Sequence, residues 1–364
     1  MVLGGELVES FFKSFVFIPL MKLIEFQQYL KEQHINLAFF VHPDPTLIYF
    51  TQMKPSYAML FITPQKATFF LTKLDHHPHV KGITVKTLQK GWEKQFSTKK
   101  AIRVGINKEC LPIASKERIK KIFPQAKFVD VTKQLSQLRS LKTPAEVEKI
   151  ARACAIVTKA FNDLIQELPR RTLKTELDIA FFLEKRMREQ GAEVAFPTIV
   201  ANGKNAAIPH HLTSTQKLKR GFVVLDFGAQ YQQYCADMTR VLFLGKPTEK
   251  EKEFYQLLLD AQLAALAEVQ LGKKFGDLDK IARKKLGKYS SYFIHSLGHG
   301  VGIEVHEQPS FLQEGKIQSQ QVFTIEPGIY FPGKFGLRIE DTLLFDGNIK
   351  ILTKATKELV QIPW

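Results

Sequence analysis

Hydrophobic spacing changes character along the chain. After Met21, the residues Leu23, Phe26, Tyr29 and Leu30 recur at helical intervals. From 36 to 72 the pattern shifts to short apolar runs bounded by turn residues. Residues 37–41, 57–62 and 67–71 each read as a buried strand. Helical and strand patterns alternate up to about 135, which predicts an α/β domain. Then Thr143-Pro144-Ala145-Glu146 combines an N-cap threonine, a proline at the first helical position and a capping-box glutamate. Val147, Ile150, Cys154, Val157, Phe161 and Ile165 follow three or four residues apart, so a long helix starts here and a domain boundary falls at about 140. Beyond it, 173–190 and 248–270 read as helices. Residues 222–227, 238–244, 321–326 and 337–345 read as strands, which makes this part α+β. Seven residues, Gly228 to Tyr234, can turn the first of these strands back beside the second as an antiparallel pair.

The expected organisation is therefore three parts. Residues 1–20 form a disordered or loosely packed extension. Their Phe-rich run is short, and Glu6 and Glu9 stand where a signal peptide carries positive charge. Residues 21–139 form the first domain and 140–364 the second.

Polar residues that interrupt the strands carry the chemistry. Asp226 sits in an apolar strand, where an ionised carboxylate is costly unless it is paired or holds a metal. Asp237 begins the partner strand, so the two carboxylates can approach and share a cation. His295, His299 and His306 fall within twelve residues, interleaved with glycines that permit close backbone approach. Glu326 ends a strand before Pro327-Gly328. Arg338 and Glu340 share one face of the next strand, with Ile339 on the other. Four carboxylates and an imidazole suit manganese, cobalt or zinc pairs better than a structural zinc site. Two such ions about 3.5–4 Å apart are a hydrolytic device.

Composition narrows the setting. The three cysteines, Cys110, Cys154 and Cys235, lie far apart, so neither a disulfide framework nor a CxxC zinc site is expected, and a reducing cytoplasm fits. No apolar run reaches the ~18 residues of a membrane-spanning helix. The net charge is +16. The first 140 residues hold 21 basic against 10 acidic side chains, a local excess of +11. No DNA-reading or aromatic-basic RNA motif accompanies it, so a solvated lysine-rich surface is the expectation and a nucleic-acid partner is not.

At these residues the chain resembles the pita-bread metallopeptidases of the Xaa-Pro branch, prolidase and aminopeptidase P. Asp226, Asp237, His299, Glu326 and Glu340 carry the resemblance, with Ser140-Leu141-Lys142-Thr143-Pro144 matching the segment that opens the catalytic fold. The resemblance implies a creatinase-like N-terminal domain before a pita-bread catalytic domain. It implies two divalent ions, Mn2+ foremost with Co2+ or Zn2+ as alternatives. Asp226 would chelate one, His299 and Glu326 the other, and Asp237 and Glu340 would bridge them. Glu326 would accept the proton of the attacking water. His210, in Ile208-Pro209-His210-His211, would bind the substrate carbonyl, and His306 would contact the substrate near the scissile bond. His295 would line the proline pocket, and Arg338 would orient the bridging carboxylates. The substrates implied are short Xaa-Pro peptides, and the assembly a homodimer. Dipeptidase action is the expectation, with aminopeptidase action on longer peptides as the alternative and a non-catalytic binding protein as the remote one.

Overall fold

The computed structural model describes residues 20–96, 101–311 and 314–364. The expected extension over 1–20 lies outside them except for Leu20, which belongs to a helix running through 20–32 (α1). The chain divides after Arg139 into two compact units.

In the first unit the short apolar runs become β1 (Leu37–Val41), β2 (Ala58–Ile62) and β3 (Ala67–Leu71), and every residue of the first two is buried. They pair as an antiparallel meander. β4 (Ile83–Thr87), β5 (Arg103–Ile106) and β6 (Lys127–Asp130) complete a six-stranded sheet in the order β4-β3-β2-β1-β5-β6. The outer pairings are parallel. α2 (Thr46–Thr51) and α3 (Ile113–Ile122) belong to this unit. Phe39, Phe61, Phe70, Trp92, Ile119 and Ile122 fill one face of its core.

α4 (Thr132–Ser140) leads into the second unit, and α5 (Pro144–Glu167) starts at the expected cap. The Thr143 hydroxyl accepts from the Glu146 N–H, and the Glu146 carboxylate accepts from the Thr143 N–H. α6 (Glu176–Glu189) and α7 (Glu249–Ala267) carry the same reciprocal cap, built on Thr175 and Thr248, and α8 (Phe275–Leu286) follows. β7 (Glu193–Val194) and β8 (Ile199–Asn202) precede β9 (Gly221–Phe227), and β12 (Met238–Leu244) runs antiparallel to β9 over seven paired residues.

The connection between β9 and β12 differs from a simple turn. It forms a hairpin of its own, β10 (Ala229–Tyr231) with β11 (Tyr234–Cys235), docked on β7. Gln232 and Gln233 both adopt positive φ, 46° and 72°, at its tip. That geometry usually calls for Asn-Gly, so the glutamines gave no turn signal.

The remaining strands are β13 (His299–Gly300), β14 (Glu307–Ser310), β15 (Gln321–Ile325), β16 (Gly328–Phe331), β17 (Phe335–Arg338), β18 (Asp341–Phe345), β19 (Ile349–Ile351) and β20 (Val360–Ile362). They give a sheet ordered β20-β12-β9-β8, a second ordered β14-β13-β15-β18-β19, and the β16–β17 pair. The single strand expected over 337–345 is therefore two, broken at Ile339 and Glu340. The break has a visible anchor in Arg240, which is almost wholly buried. It donates from Nη1 to the Glu340 carbonyl at 2.5 Å and from Nη2 to Asp341 at 2.6 Å. Phe222, Phe243, Leu258, Phe275, Phe323, Leu337 and Ile339 pack together as the apolar core behind these sheets. Cys154 is buried on the apolar stripe of α5, as its spacing implied. No helix among the described residues is long and apolar enough to cross a membrane.

Candidate metal centre

Five polar side chains from five segments of the second unit meet at one place. Asp226 comes from the end of β9, Asp237 from just before β12, His299 from β13, Glu326 from just after β15 and Glu340 from the β17–β18 break. The β9–β12 register pairs Asp226 with Thr239. Asp237, two residues earlier, is thus a diagonal neighbour on the same face. His299 reaches the group because its loop lies directly on β15. A Cβ on Gly298 would sit 2.1 Å from the Thr324 carbonyl oxygen, so a side chain there would force the loop away.

The imidazole of His299 is the hub. Its Nδ1 donates to the Gly300 carbonyl at 3.2 Å, which turns Nε2 toward the acids. Nε2 lies 3.1 Å from Glu326, 3.6 Å from Asp237 and 3.9 Å from Glu340. Ligand atoms of Asp237, His299 and Glu340 all fall within 4.8 Å of one another. Thr239 donates its hydroxyl to Glu340 at 2.7 Å and accepts from Arg338 Nε at 3.0 Å.

Packing acids this densely perturbs them. Burial, reinforced by Glu340 and Asp226, raises Asp237 well above the carboxylate range. Burial and the charges of Glu326 and Asp226 push Glu340 up to about 8. Burial also raises Asp226, against the opposing charge of Arg338. Glu326 goes the other way: burial is outweighed by the hydrogen bond and charge of His299, which bring it down to about 2. His299 rises to about 9, because its partners Glu326 and Glu340 overcome burial. Among the described residues, Asp237 Oδ1 and Glu340 Oε1 are buried with no hydrogen-bond partner. Buried orphan carboxylate oxygens beside an imidazole nitrogen are the donor set a divalent cation takes, so these residues fit a metal centre.

The flanking residues fall as follows. His306 packs against His299 with ring centroids 4.2 Å apart, and burial plus the charges of His299 and His210 lower it to about 4. His210 is exposed on the 203–211 loop. His211 points elsewhere, with Nε2 donating to the Glu176 carboxylate at 2.9 Å. His295 donates from Nδ1 to the Ser296 carbonyl, and burial lowers its pKa. Its Nε2 is therefore an acceptor for the Tyr330 hydroxyl at 3.0 Å. Arg338 donates from Nη2 to Asp226 at 2.5 Å and from Nη1 to Tyr330 at 2.8 Å. Its direct ion pair is thus with Asp226, whereas the resemblance gave it the Asp237 and Glu340 carboxylates. It reaches Glu340 through the Thr239 hydroxyl. Thr239 and Tyr330 were not singled out in the sequence. Thr239 shares a strand face with Asp237 by period two, and Tyr330 follows the Pro-Gly turn after Glu326, but neither residue type announces a site.

Residues 148–346 match the model of metallopeptidase family M24, and residues 22–141 match that of the creatinase/prolidase N-terminal domain. The chain belongs to metallopeptidase family M24. It is therefore a metallopeptidase with a creatinase-type N-terminal domain and a pita-bread catalytic domain. An Xaa-Pro dipeptidase of Pyrococcus horikoshii is 36% identical over 93% of this chain and 97% of its own. The solved prolidase of the same organism superposes with a TM-score of 0.84 at 35% identity, covering 94% of this chain and 99% of its own. An X-Pro aminopeptidase of Thermotoga maritima gives a TM-score of 0.81 at 32% identity, over 90% and 98% of the two chains.

Proposed function

We propose that this M24 metallopeptidase is an Xaa-Pro dipeptidase, hydrolysing the bond that precedes proline in dipeptides. The observation that carries the reading is the cluster of Asp237, His299 and Glu340, with ligand atoms within 4.8 Å, in a chain whose Xaa-Pro relatives match it nearly end to end. Proline has no N–H and a fixed ring, which general peptidases accommodate poorly, so its cleavage calls for a dedicated site.

Asp226, Asp237, His299, Glu326 and Glu340 would hold the metals, two divalent ions with Mn2+ foremost and Co2+ or Zn2+ as alternatives. When bound, such ions supply Lewis acidity, polarising the scissile carbonyl and acidifying a water. Glu326 is held ionised and is the base for the proton of the attacking water. His306 is held neutral and exposes an imidazole N–H donor for the substrate oxygen. His210 faces the same region, close enough for its charge to act on His306, and binds the substrate carbonyl. His295, neutral and tethered to Tyr330, presents its ring to the proline side chain. Arg338 donates to Asp226, opposing the effect of its burial, and keeps Glu340 oriented through Thr239.

A dipeptide presents a free carboxylate directly after proline, which requires a cation nearby. The basic surplus of the first 140 residues supports a homodimer in which the partner's lysines or arginines supply it. The isolated cysteines support a cytoplasmic setting. Aminopeptidase action on longer peptides is the second reading, favoured by the likeness to the Thermotoga maritima enzyme. A purely binding role is disfavoured, since all five ligand positions are kept. The test is hydrolysis of Xaa-Pro dipeptides after loading with Mn2+, Co2+ and Zn2+ in turn. Activity lost to a chelator and to Asp237→Asn supports the reading; full activity of metal-loaded Asp237→Asn refutes the ligand assignment.

A further inference from the structure

One buried carboxylate outside the metal cluster is hydrogen-bonded to both sides of the His210 loop. Glu176 is the first residue of α6 and is completely excluded from solvent. Its carboxylate accepts four hydrogen bonds. Oε1 takes the Asn202 N–H at 2.9 Å and Asn205 Nδ2 at 2.8 Å. Oε2 takes the Ser214 hydroxyl at 2.8 Å and His211 Nε2 at 2.9 Å. The four donors bracket the segment that carries His210, two before it and two after. A carboxylate at a helix N-terminus with four donors remains charged, and its pKa falls below the ordinary range although burial opposes this.

His210 itself hangs between two tethered neighbours. The carbonyl of Pro209 accepts from Arg338 Nη1 at 3.5 Å, and the ring of His211 is bound to Glu176. The start of the loop lies flat on β17. A Cβ at Gly336 would sit 2.0 Å from the Ala206 carbonyl oxygen, so glycine is what admits this approach. The loop side chains Ile208 and Leu212 are nonetheless exposed, so apolar burial at those positions does not fix its shape.

We propose that Glu176 is a positioning residue for His210, setting the imidazole against the substrate carbonyl by clamping the loop through Asn202, Asn205, His211 and Ser214. The inference rests on the Xaa-Pro reading, in which His210 binds that carbonyl. Among the described residues, the four bonds to the Glu176 side chain come from Asn202, Asn205, His211 and Ser214, and from none of the five proposed metal ligands. Glu176 acts because an error of about 1 Å at a substrate-binding group is enough to cost up to ~100-fold in rate.

The experiment is a double-mutant cycle on the metal-loaded enzyme, with kcat/KM for an Xaa-Pro dipeptide as the readout and bound metal per chain as the control. Glu176→Gln is expected to lose about tenfold or more in kcat/KM with metal content unchanged. In the His210→Ala background the same substitution is expected to cost less than about twofold, because the group it positions is gone. His211→Ala is expected to reproduce part of the loss and His211→Gln, which keeps an N–H donor, to recover part of it. If Glu176→Gln does not fold, the cycle of His211→Ala with His210→Ala decides by the same criterion. Equal losses with and without His210, or no loss at all, overturn the inference. A metal-loaded wild type that does not cleave Xaa-Pro bonds overturns the function reading instead, which separates the two failures.

Discussion

Asp226 and Asp237 are diagonal neighbours on one face of the β9–β12 ladder, where Asp226 is paired with Thr239, two residues beyond Asp237. This places the Thr239 hydroxyl between Glu340 and Arg338. Thr239 donates to Glu340 and accepts from Arg338, which in turn holds Asp226. The acids of the proposed centre are therefore oriented by a neutral side chain as well as by an arginine.

Replacing Thr239 with valine keeps the buried shape and removes both bonds. Arg338 Nε and Glu340 Oε2 lose their partner in a buried setting, which costs about 1–3 kcal/mol each way it is counted. Thermal unfolding should show this loss in the metal-free protein, and Mn2+ titration should show weaker binding. Unchanged values in both would remove Thr239 from the account.

Arg240→Met tests the anchor of the β17–β18 break. Arg240 and Asp341 are both almost fully buried, and removing one partner of such a pair costs up to about 3–5 kcal/mol, lessened here because Lys357 Nζ remains 2.9 Å from Asp341. Chemical denaturation is expected to show a shift of that size, together with reduced metal occupancy, because the Glu340 carbonyl is released as well.

Metal uptake should release protons. In the metal-free protein Glu340 is raised to about 8 and His299 to about 9, so near neutral pH these two groups hold protons that a cation must displace. Affinity therefore rises with pH up to about 9 and weakens as the pH is lowered from there. Calorimetry in two buffers of different ionisation enthalpy reads the number of protons directly. Zero release at neutral pH would contradict the cluster.

Much of this was legible in the chain. The long helix after Thr143 announces itself through cap, proline and period, and the observed reciprocal bonds are those its sequence implies. The Asp226–Asp237 hairpin follows from two apolar runs separated by a short connection. What escaped was set by tertiary partners. The strand break at Glu340 depends on Arg240, a hundred residues away in sequence, and the β10–β11 hairpin turns on glutamines with no turn propensity of their own. Arg338 was legible as a charge in the cluster, but its partner is selected by how β17 lies beside β9. Glu176 reads as an ordinary first-turn acid, and only the folded loop gives it four donors.

Glu176 also makes a pH prediction for stability. Its folded pKa is depressed, so its contribution is fully present above the unfolded glutamate value of about 4.3 and is lost as pH falls through the folded value. The gap in melting temperature between wild type and Glu176→Gln should narrow as the pH falls below the unfolded value of about 4.3. A gap independent of pH there would mean that ionisation of Glu176 contributes nothing.

The central claim is dipeptidase action at a proline bond, and the most direct measurement is one ratio. It compares kcat/KM of the Mn2+-loaded protein for an Xaa-Pro dipeptide with that for the same peptide extended by one residue. The account predicts cleavage of both bonds to be metal-dependent and the dipeptide to be preferred. A clear preference for the extended peptide would make the protein an aminopeptidase, and no cleavage of either would contradict the account altogether.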